Sequence, residues 1–162
     1  MPLDIRLRDV IEADLPIFYE HQLDPVATRM AAFPSRTRRG FMRHWRDILA
    51  DETITKQTIL VDGEVAGNVV GYIQGGQRTI GYWLGRAYWG RGVATAALID
   101  FLVYETTRPL FAHVAKHNVA SRRVLEKCGF SVCGASIPFL EDDGEVIEEF
   151  IMKLDGRETT SG

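Results

Sequence analysis

Apolar and polar residues alternate at the start of the chain and then follow a helical period. The alternation from Leu3 to Val10 predicts a short β-strand, because successive side chains of a strand point to opposite faces. Residues 12–24 then predict a helix, with Asp14 in its first turn and Pro16 near its start, where proline is tolerated. The chain therefore begins with a strand followed by a helix.

A second helix is predicted over residues 34–51. Its large apolar residues recur at helical spacing and share one face, namely Phe41, Trp45, Ile48 and Leu49. Its other face carries a set of arginines, namely Arg38, Arg39, Arg43 and Arg46. That basic face is either a solvated surface or one wall of a binding cleft.

Residues 56–85 show the pattern of a three-stranded meander. Two apolar runs meet at Asp62-Gly63, a dipeptide typical of tight hairpin turns. A second turn at 75–78 leads into a third apolar run at 79–85. This part of the chain therefore predicts neighbouring antiparallel strands.

Helices and strands alternate in the remainder of the chain. Helices are predicted over about residues 91–106 and over 118–129, and strands over 109–115, 130–140 and 146–154. The complete order of elements predicts a mixed α/β sheet, with no clean division into two domains.

Composition narrows the class of protein. The 162 residues are 46% hydrophobic and 25% charged, which suits one soluble domain with a buried core. The net charge of −3 excludes a global basic field, so no nucleic-acid partner is expected. No apolar run approaches the ~18 residues of a membrane span, and the N-terminus lacks the apolar stretch of a secretory signal.

The cysteines and histidines indicate neither a disulfide framework nor a metal site. Cys128 and Cys133 are too close in sequence to pair readily, and we expect them to be reduced in a cytoplasmic protein. His113 and His117 have the spacing of metal ligands on a helix, but here they straddle the end of a predicted strand. We therefore expect no metal.

Two glycines flank an arginine where the third strand of the meander passes into a helix. The stretch "GYWLGRAYWGRGVATAALIDFL" covers residues 81–102, and Gly90, Arg91 and Gly92 lie at the first turn of the helix. A helix N-terminus presents unpaired N–H groups and a partial positive charge, so it binds anions, phosphates above all. Glycine lets an anion approach the backbone closely. Tight packing between strand and helix is the alternative explanation of these glycines.

Other phosphate-binding motifs do not fit this junction. No Gly-Lys-Ser/Thr follows, which excludes a Walker loop. A dinucleotide fingerprint needs a third glycine, where Thr95 or Ala96 stands.

Three features together resemble the GNAT superfamily of acyl-CoA-dependent N-acetyltransferases. "WGRGVA" at 89–94 resembles that family's pyrophosphate loop, written Q/R-x-x-G-x-G/A, and "NVASRRVLEKCGF" at 118–130 resembles its Asn-x-x-Ser helix. The element order matches over about residues 3–154. The motifs are most similar to the branch of ribosomal-protein N-terminal acetyltransferases.

The resemblance implies a fold. We expect one domain over 3–154 and a flexible tail at 155–162. We also expect a mostly antiparallel sheet of about six to seven strands, splayed in the middle and flanked by about four helices.

The resemblance also implies acetyl-CoA as co-substrate. Amides of Arg91 through Thr95 would hold the pyrophosphate, and the main chain of Trp83 and Leu84 would pair with the pantetheine arm in the splay. The implied contact set is Trp83, Leu84, Trp89, Gly90, Arg91, Gly92, Val93, Ala94, Thr95, Asn118, Ser121 and Arg123. Arg122 is the alternative to Arg123 at the 3′-phosphate.

The sequence departs from the family pattern at two places. Trp89 stands where the family usually has Gln or Arg. Many relatives carry a glutamate base just before the equivalent of "IGYW", where this chain has Arg78 and Thr79. An α-amine, with a pKa of about 7.7–8.0, needs a base less than a lysine with a pKa of about 10.4. We therefore expect an α-amino acceptor.

Several residues are candidates for the proton transfers. His113 is a candidate base and is alternatively a structural histidine, while Glu148 or Glu149 is a candidate to point into the acceptor cleft. Ser121 is the candidate proton donor to the thiolate, with Tyr82 or Tyr88 as rivals. Ser121 is alternatively no more than part of a helix cap.

The sequence thus predicts a cytoplasmic enzyme that moves an acetyl group directly from acetyl-CoA to a protein or peptide N-terminal amine, without an acyl-enzyme. A small-molecule amine acceptor and a CoA-binding sensor without turnover are the alternatives. A homodimer is a family expectation.

Overall fold

The computed structural model of the chain describes residues 2–32, 35–140 and 146–156. Its strands are β1 Ile5–Asp9, β2 Thr55–Val61, β3 Glu64–Gln74, β4 Gln77–Leu84, β5 Leu110–Ala115, β6 Ser131–Leu140 and β7 Val146–Leu154. Its α-helices are α1 Leu15–Gln22, α2 Pro25–Ala31, α3 Arg38–Ala50, α4 Val93–Tyr104 and α5 Val119–Lys127. Short 3₁₀ turns at Glu12–Asp14 and Arg86–Tyr88 precede α1 and α4.

One sheet contains all seven strands, in the order β1-β2-β3-β4-β5-β7-β6. Neighbours pair antiparallel except β4 and β5, which are parallel and joined through α4, the crossover that parallel neighbours require. Their only paired position is Thr79 opposite Phe111, so the strands part beyond it. The predicted mixed fold and its central splay are confirmed.

The two faces of the sheet bury separate apolar clusters. On one face, α4 and α5 pack on a core that includes Ile80, Phe101 and Leu110, each at most 3% exposed. On the other face, α1 and α3 bury Phe18 and Trp45, whose ring centroids are 5.0 Å apart. Burial of each such side chain contributes about 1.5–3 kcal/mol, so both layers hold the sheet rigid around its central gap.

Two buried carboxylates join elements that are distant in sequence. Asp14 accepts two hydrogen bonds from Arg8, at 2.7 and 2.8 Å, and one from the Thr58 hydroxyl at 2.7 Å. Glu105 accepts from the Arg78 Nε at 2.7 Å and from the Thr55 hydroxyl at 2.8 Å. Because each of these two carboxylates is paired with an arginine and accepts from a threonine hydroxyl, their charges are tolerated inside the protein.

Helix α2 is an addition to the two N-terminal helices that the sequence predicted. It has only 7 residues, too few for a periodic pattern to stand out. Its start does follow a helix signal, because the Asp24 side chain accepts from the Val26 amide at 2.9 Å and Pro25 occupies the first turn. This helix lies over the functional end of the sheet, as shown below.

The remaining boundaries agree with the predicted elements to within a few residues. Helix α4 is shorter than predicted, at Val93–Tyr104. Residues 141–145, between the last two predicted strands, and most of the predicted tail at 155–162 lie outside the described residues. None of the helices in the described ranges has the length and hydropathy that a bilayer crossing requires.

Candidate active site

The gap between β4 and β5 opens toward the loop that precedes α4. Main-chain contacts fix that loop: the Gly85 amide donates to the Ala66 carbonyl at 2.8 Å, and the Trp89 indole donates to the Leu84 carbonyl at 2.9 Å. Trp89, which departs from the family motif, therefore holds the loop against the end of β4.

The glycines of the loop are required by backbone conformation. Gly90 and Gly92 have φ of 71° and 75°, in the left-handed region that other residues rarely adopt. A Cβ built on either one meets no atom within 4 Å. The alternative that these glycines serve tight packing is therefore wrong. They shape the loop and leave its surface open to a ligand.

The start of α4 has the properties of an anion site. Gly92 caps this 12-residue helix without any side-chain cap bond, and the first helical bond runs from the Ala96 amide to the Gly92 carbonyl at 3.2 Å. The amides of Val93, Ala94 and Thr95 therefore have no intrahelical partner. Together with the macrodipole they fit the pyrophosphate of acetyl-CoA.

Both β4 residues predicted to meet pantetheine lie in the gap. Trp83 and Leu84 follow the last position at which β4 pairs with β5, so this end of β4 has no strand partner on that edge. The Leu84 carbonyl accepts from the Trp89 indole, which leaves the Leu84 amide as the main-chain group of these two residues that faces the gap. The Trp83 indole N–H is also buried with no hydrogen-bond partner among the residues that the structure describes. The gap thus offers both main-chain and side-chain hydrogen-bonding groups.

Two of the predicted catalytic residues meet across the gap. The Tyr82 hydroxyl on β4 lies 2.9 Å from the Ser121 Oγ on α5. Burial raises the pKa of Tyr82, although its bond to Ser121 partly offsets the effect. Tyr82 therefore keeps its proton at neutral pH and is suited to supply it. The rival Tyr88 lies elsewhere, with its hydroxyl 3.4 Å from Glu64.

Asn118 positions this pair by starting α5. Its side-chain oxygen accepts from the Ser121 amide at 3.2 Å, as an N-cap residue does. The amide of Ser121 is thus used by the cap while its hydroxyl is used by Tyr82. The two roles that the sequence left open for Ser121, as a proton donor and as part of a helix cap, are therefore compatible.

The two arginines of α5 have different surroundings. The Arg122 Nε lies 3.0 Å from Glu126, and its guanidinium lies 5.6 Å from the Phe150 ring centroid. Arg123 is exposed, and no ion pair is found for it within the described part of the chain. Arg123 is therefore the better placed of the two to meet a phosphate from solvent.

A histidine–carboxylate pair lies on the opposite face of the sheet. His113 Nδ1 is 2.9 Å from Glu149 Oε1, and the Ser136 hydroxyl lies 3.3 Å from the same oxygen. Glu148 points the other way and binds Lys116 at 2.9 Å. Of the two carboxylates considered from the sequence, Glu149 is the one that reaches the candidate base.

Neither residue at the family's glutamate position takes over a base function. Arg78 binds Glu105 at 2.7 Å and the Thr53 carbonyl at 2.7 Å. Thr79 is buried, and its hydroxyl donates to the Gln77 carbonyl at 3.2 Å. Arg78 and Thr79 therefore have structural roles in the sheet.

Helix α2, which the sequence analysis missed, spans the mouth of the gap. At its start, Asp24 lies 3.5 Å from the Arg86 guanidinium, just after β4. Near its end, the Arg29 carbonyl lies 2.9 Å from His117 Nε2, just after β5. These contacts place the helix across the two diverging strand ends, where it borders the gap.

A splayed sheet with an open helix N-terminus beside the gap defines an acyl-CoA-dependent transferase fold. Residues 4–131 match the family described as acetyltransferase (GNAT) domain. The chain belongs to the GNAT acetyltransferase family, and it is an N-acetyltransferase with acetyl-CoA as co-substrate. In the described part of the chain, no group of three His, Cys, Asp or Glu residues is arranged to hold a metal ion.

Solved structures share this fold at low sequence identity. Spermidine N-acetyltransferase from Vibrio cholerae, in complex with CoA and spermine, has a TM-score of 0.80 at 16% identity, over 93% of this chain and 95% of that one. An aminoglycoside acetyltransferase in complex with coenzyme A has a TM-score of 0.74 at 21% identity, over 94% and 95%. A GNAT-family acetyltransferase from Bacillus anthracis has 0.78 at 17%, over 93% and 94%. No curated protein matches significantly.

Proposed function

We propose that this acetyltransferase acts on the α-amino group of a protein or peptide N-terminus, as the ribosomal-protein branch of its family does. The observation that carries the proposal is the loss of the glutamate base: Arg78 is bound to Glu105 and Thr79 is buried. About 10–15% of α-amines are already neutral near pH 7, whereas well under 0.1% of lysine side chains are. An enzyme without the glutamate therefore favours the less basic acceptor.

The proposed roles follow the geometry of the gap. The amides of residues 91–95 hold the pyrophosphate, and Arg123 meets the 3′-phosphate. Acetyl-CoA supplies a thioester carbonyl that a neutral amine attacks directly. A main-chain N–H near Trp83 or Leu84 polarises that carbonyl. His113 accepts the proton of the amine, and the hydroxyl pair of Tyr82 and Ser121 donates one to the departing thiolate.

A small-molecule polyamine is the second candidate acceptor. It is favoured by the carboxylate of Glu149, which faces the same side of the sheet as His113 and would attract a cation. A CoA-binding sensor without turnover is the third candidate. Its distinguishing property is affinity for CoA with no thiol release from any amine.

A panel of acceptors tests the proposal. We expect release of free CoA thiol, at pH 7, with a kcat/KM more than about 100-fold higher for a lysine-free peptide with a free N-terminus than for its N-acetylated, lysine-containing counterpart, following the ratio of neutral amines. Spermidine and an aminoglycoside serve as the small-molecule arms. A higher kcat/KM for spermidine or for the lysine peptide would contradict the α-amine assignment.

A cytoplasmic location is proposed on separate grounds. Both cysteines, Cys128 and Cys133, are free in the structure, as the sequence predicted. Unpaired thiols, one of them exposed, suit a reducing compartment.

A further inference from the structure

The gap between β4 and β5 is also open on the face of the sheet that carries α1, α2 and α3. Two residues beyond the Thr79–Phe111 pair, Gly81 stands on β4 and His113 on β5. The side chain of His113 projects to the face opposite the α4–α5 core, because Ala112 and Val114 belong to that core. His113 therefore borders the gap from the side on which α1, α2 and α3 lie.

Glu149 determines which nitrogen of His113 carries hydrogen. An ionised carboxylate only accepts hydrogen bonds, so the contact of 2.9 Å requires the Nδ1 of a neutral imidazole to donate. The lone pair then lies on Nε2, for which no partner is found among residues 2–32, 35–140 and 146–156. The side chains of His113 and Glu149 are 25% and 19% exposed, so the pair is shielded but accessible.

On the same face of the sheet, Tyr72 of β3 lies beside Gly81. Its ring lies 4.0 Å from the position that a Cβ on Gly81 would occupy, so the missing side chain leaves room beside the ring. Burial raises the pKa of Tyr72, and the negative charge of Glu149 raises it further. The Tyr72 ring and the histidine–carboxylate pair therefore lie on the same side of the sheet, around the space that Gly81 leaves open.

We propose that this pocket, bounded by Tyr72, Gly81 and His113, receives the acceptor amine as an ammonium ion, and that Glu149 is the positioning residue that makes His113 Nε2 its proton acceptor. The inference rests on the proposed acetyl transfer. The ammonium N–H bond breaks and its proton passes to Nε2, which leaves a neutral amine and an imidazolium beside the Glu149 carboxylate. The amine nitrogen then bonds to the thioester carbon, and the C–S bond breaks with its electron pair going to sulfur. The nitrogen loses a second proton, which reaches the CoA thiolate through the hydroxyls of Tyr82 and Ser121, and the imidazolium later returns its proton to water.

Several charged or titratable groups surround His113. Glu149 and Lys153 lie on the same face of β7, Tyr72 on β3, and Arg29 on α2; β6 contributes Ser136 and β4 contributes Gly81. Among the described residues, Glu149 is the only one found to form a hydrogen bond with the ring. The pH dependence of the reaction therefore tests His113 together with Glu149.

The experiment compares His113→Ala and Glu149→Gln with the wild type on the best acceptor of the panel. We expect His113→Ala to lower kcat by about 100-fold or more, the usual contribution of a general base. Added imidazole should restore part of that rate, and the acid limb of the kcat–pH profile should disappear. Glu149→Gln should lower kcat by about tenfold, because an amide can accept as well as donate and no longer selects one tautomer.

Matched controls separate this role from damage to the fold. Glu148→Gln changes the adjacent carboxylate on the other face, and His44→Asn changes an exposed histidine of α3; neither should alter the profile. CoA affinity and the melting temperature should be unchanged in all four variants. An unchanged kcat and acid limb in His113→Ala, or a loss that imidazole does not restore, would overturn the inference. An acceptor other than an α-amine would overturn the proposed function and leave this test intact.

Discussion

At the scale of single residues, the chemistry depends on where side chains are absent. Gly90 and Gly92 adopt φ values that leave the first amides of α4 facing solvent, and no neighbouring atom would contact an added Cβ. The family motif marks these glycines for their approach to phosphate. The structure adds that their conformation alone requires glycine.

We expect Gly92→Ala to weaken CoA binding by about tenfold or more, because strain and the methyl group both act on the amides that would face the pyrophosphate. The control is Gly76→Ala in the turn between β3 and β4, where φ is 77° and the surroundings are equally open. Both variants should lose about 1–2 kcal/mol of stability, the cost of left-handed backbone. Calorimetry that finds equal CoA affinity in both would contradict the anion site.

At the scale of elements, ion pairs link strands on one side of the gap to the ends of helices. Arg78 and Glu105 link the outer end of β4 to the end of α4, while Asp14 links β1 and β2 to the start of α1. Both ion pairs stabilise the half of the sheet formed by β1 to β4, which borders the gap on one side. The residues that replace the family's base thus serve the architecture around the site.

Acid should weaken the ion pair between Arg78 and Glu105. Burial raises the pKa of this carboxyl, but the hydrogen bonds from Arg78 and Thr55 outweigh it, so its pKa lies below the ordinary value. A lowered folded-state pKa stabilises the protein above the unfolded value of about 4.3, and that stability is lost as pH falls through the folded value. Glu105→Gln should therefore lower the free energy of unfolding by about 3 kcal/mol at pH 7, and by much less in strong acid.

Urea unfolding at several pH values measures this effect. Asp4→Asn, which removes an exposed partner of Arg6, is the control and should leave the pH dependence unchanged. A Glu105→Gln variant that keeps the stability of the wild type at neutral pH would show that the pair is not a stabilising tie.

At the scale of the whole molecule, the proposed sites place the two substrates on opposite faces of one sheet. The proposed CoA groups lie between the loop before α4 and the start of α5, and the proposed acceptor groups lie beneath α2 on the other side. Such an arrangement lets an amine reach the thioester without an intermediate carrier. Binding both substrates together supplies much of the acceleration.

Direct transfer predicts intersecting double-reciprocal plots and no acetylated protein. Burial raises the pKa of the Cys128 thiol, so it is a poor nucleophile at neutral pH, and its sulfur lies 3.9 Å from the Thr95 carbonyl. Cys128→Ala should keep kcat within about threefold, as a packing change alone would. Radioactive acetyl groups retained on the denatured wild-type protein would establish a covalent route instead.

Much of the site could be predicted before the structure, because local signals encode it. Gly92 and Asn118 act through backbone conformation or a cap within a few residues, and both stand where the sequence predicts the start of a helix. Helix α2 escaped prediction because its 7 residues show no period. The partnership of His113 with Glu149 also escaped, because it joins residues 36 apart through strand register.

By itself, the amino-acid sequence determined the order of elements apart from α2, the acetyltransferase family and the position of the glycine-rich turn before α4, since all three depend on short-range patterns. Tertiary structure decided which polar groups meet: Tyr82 with Ser121, His113 with Glu149, and Arg78 with Glu105. The physical reason is that strand pairing and helix packing bring together residues whose spacing along the chain carries no signal. Those contacts decide whether a titratable group can act as a base or instead forms a structural ion pair.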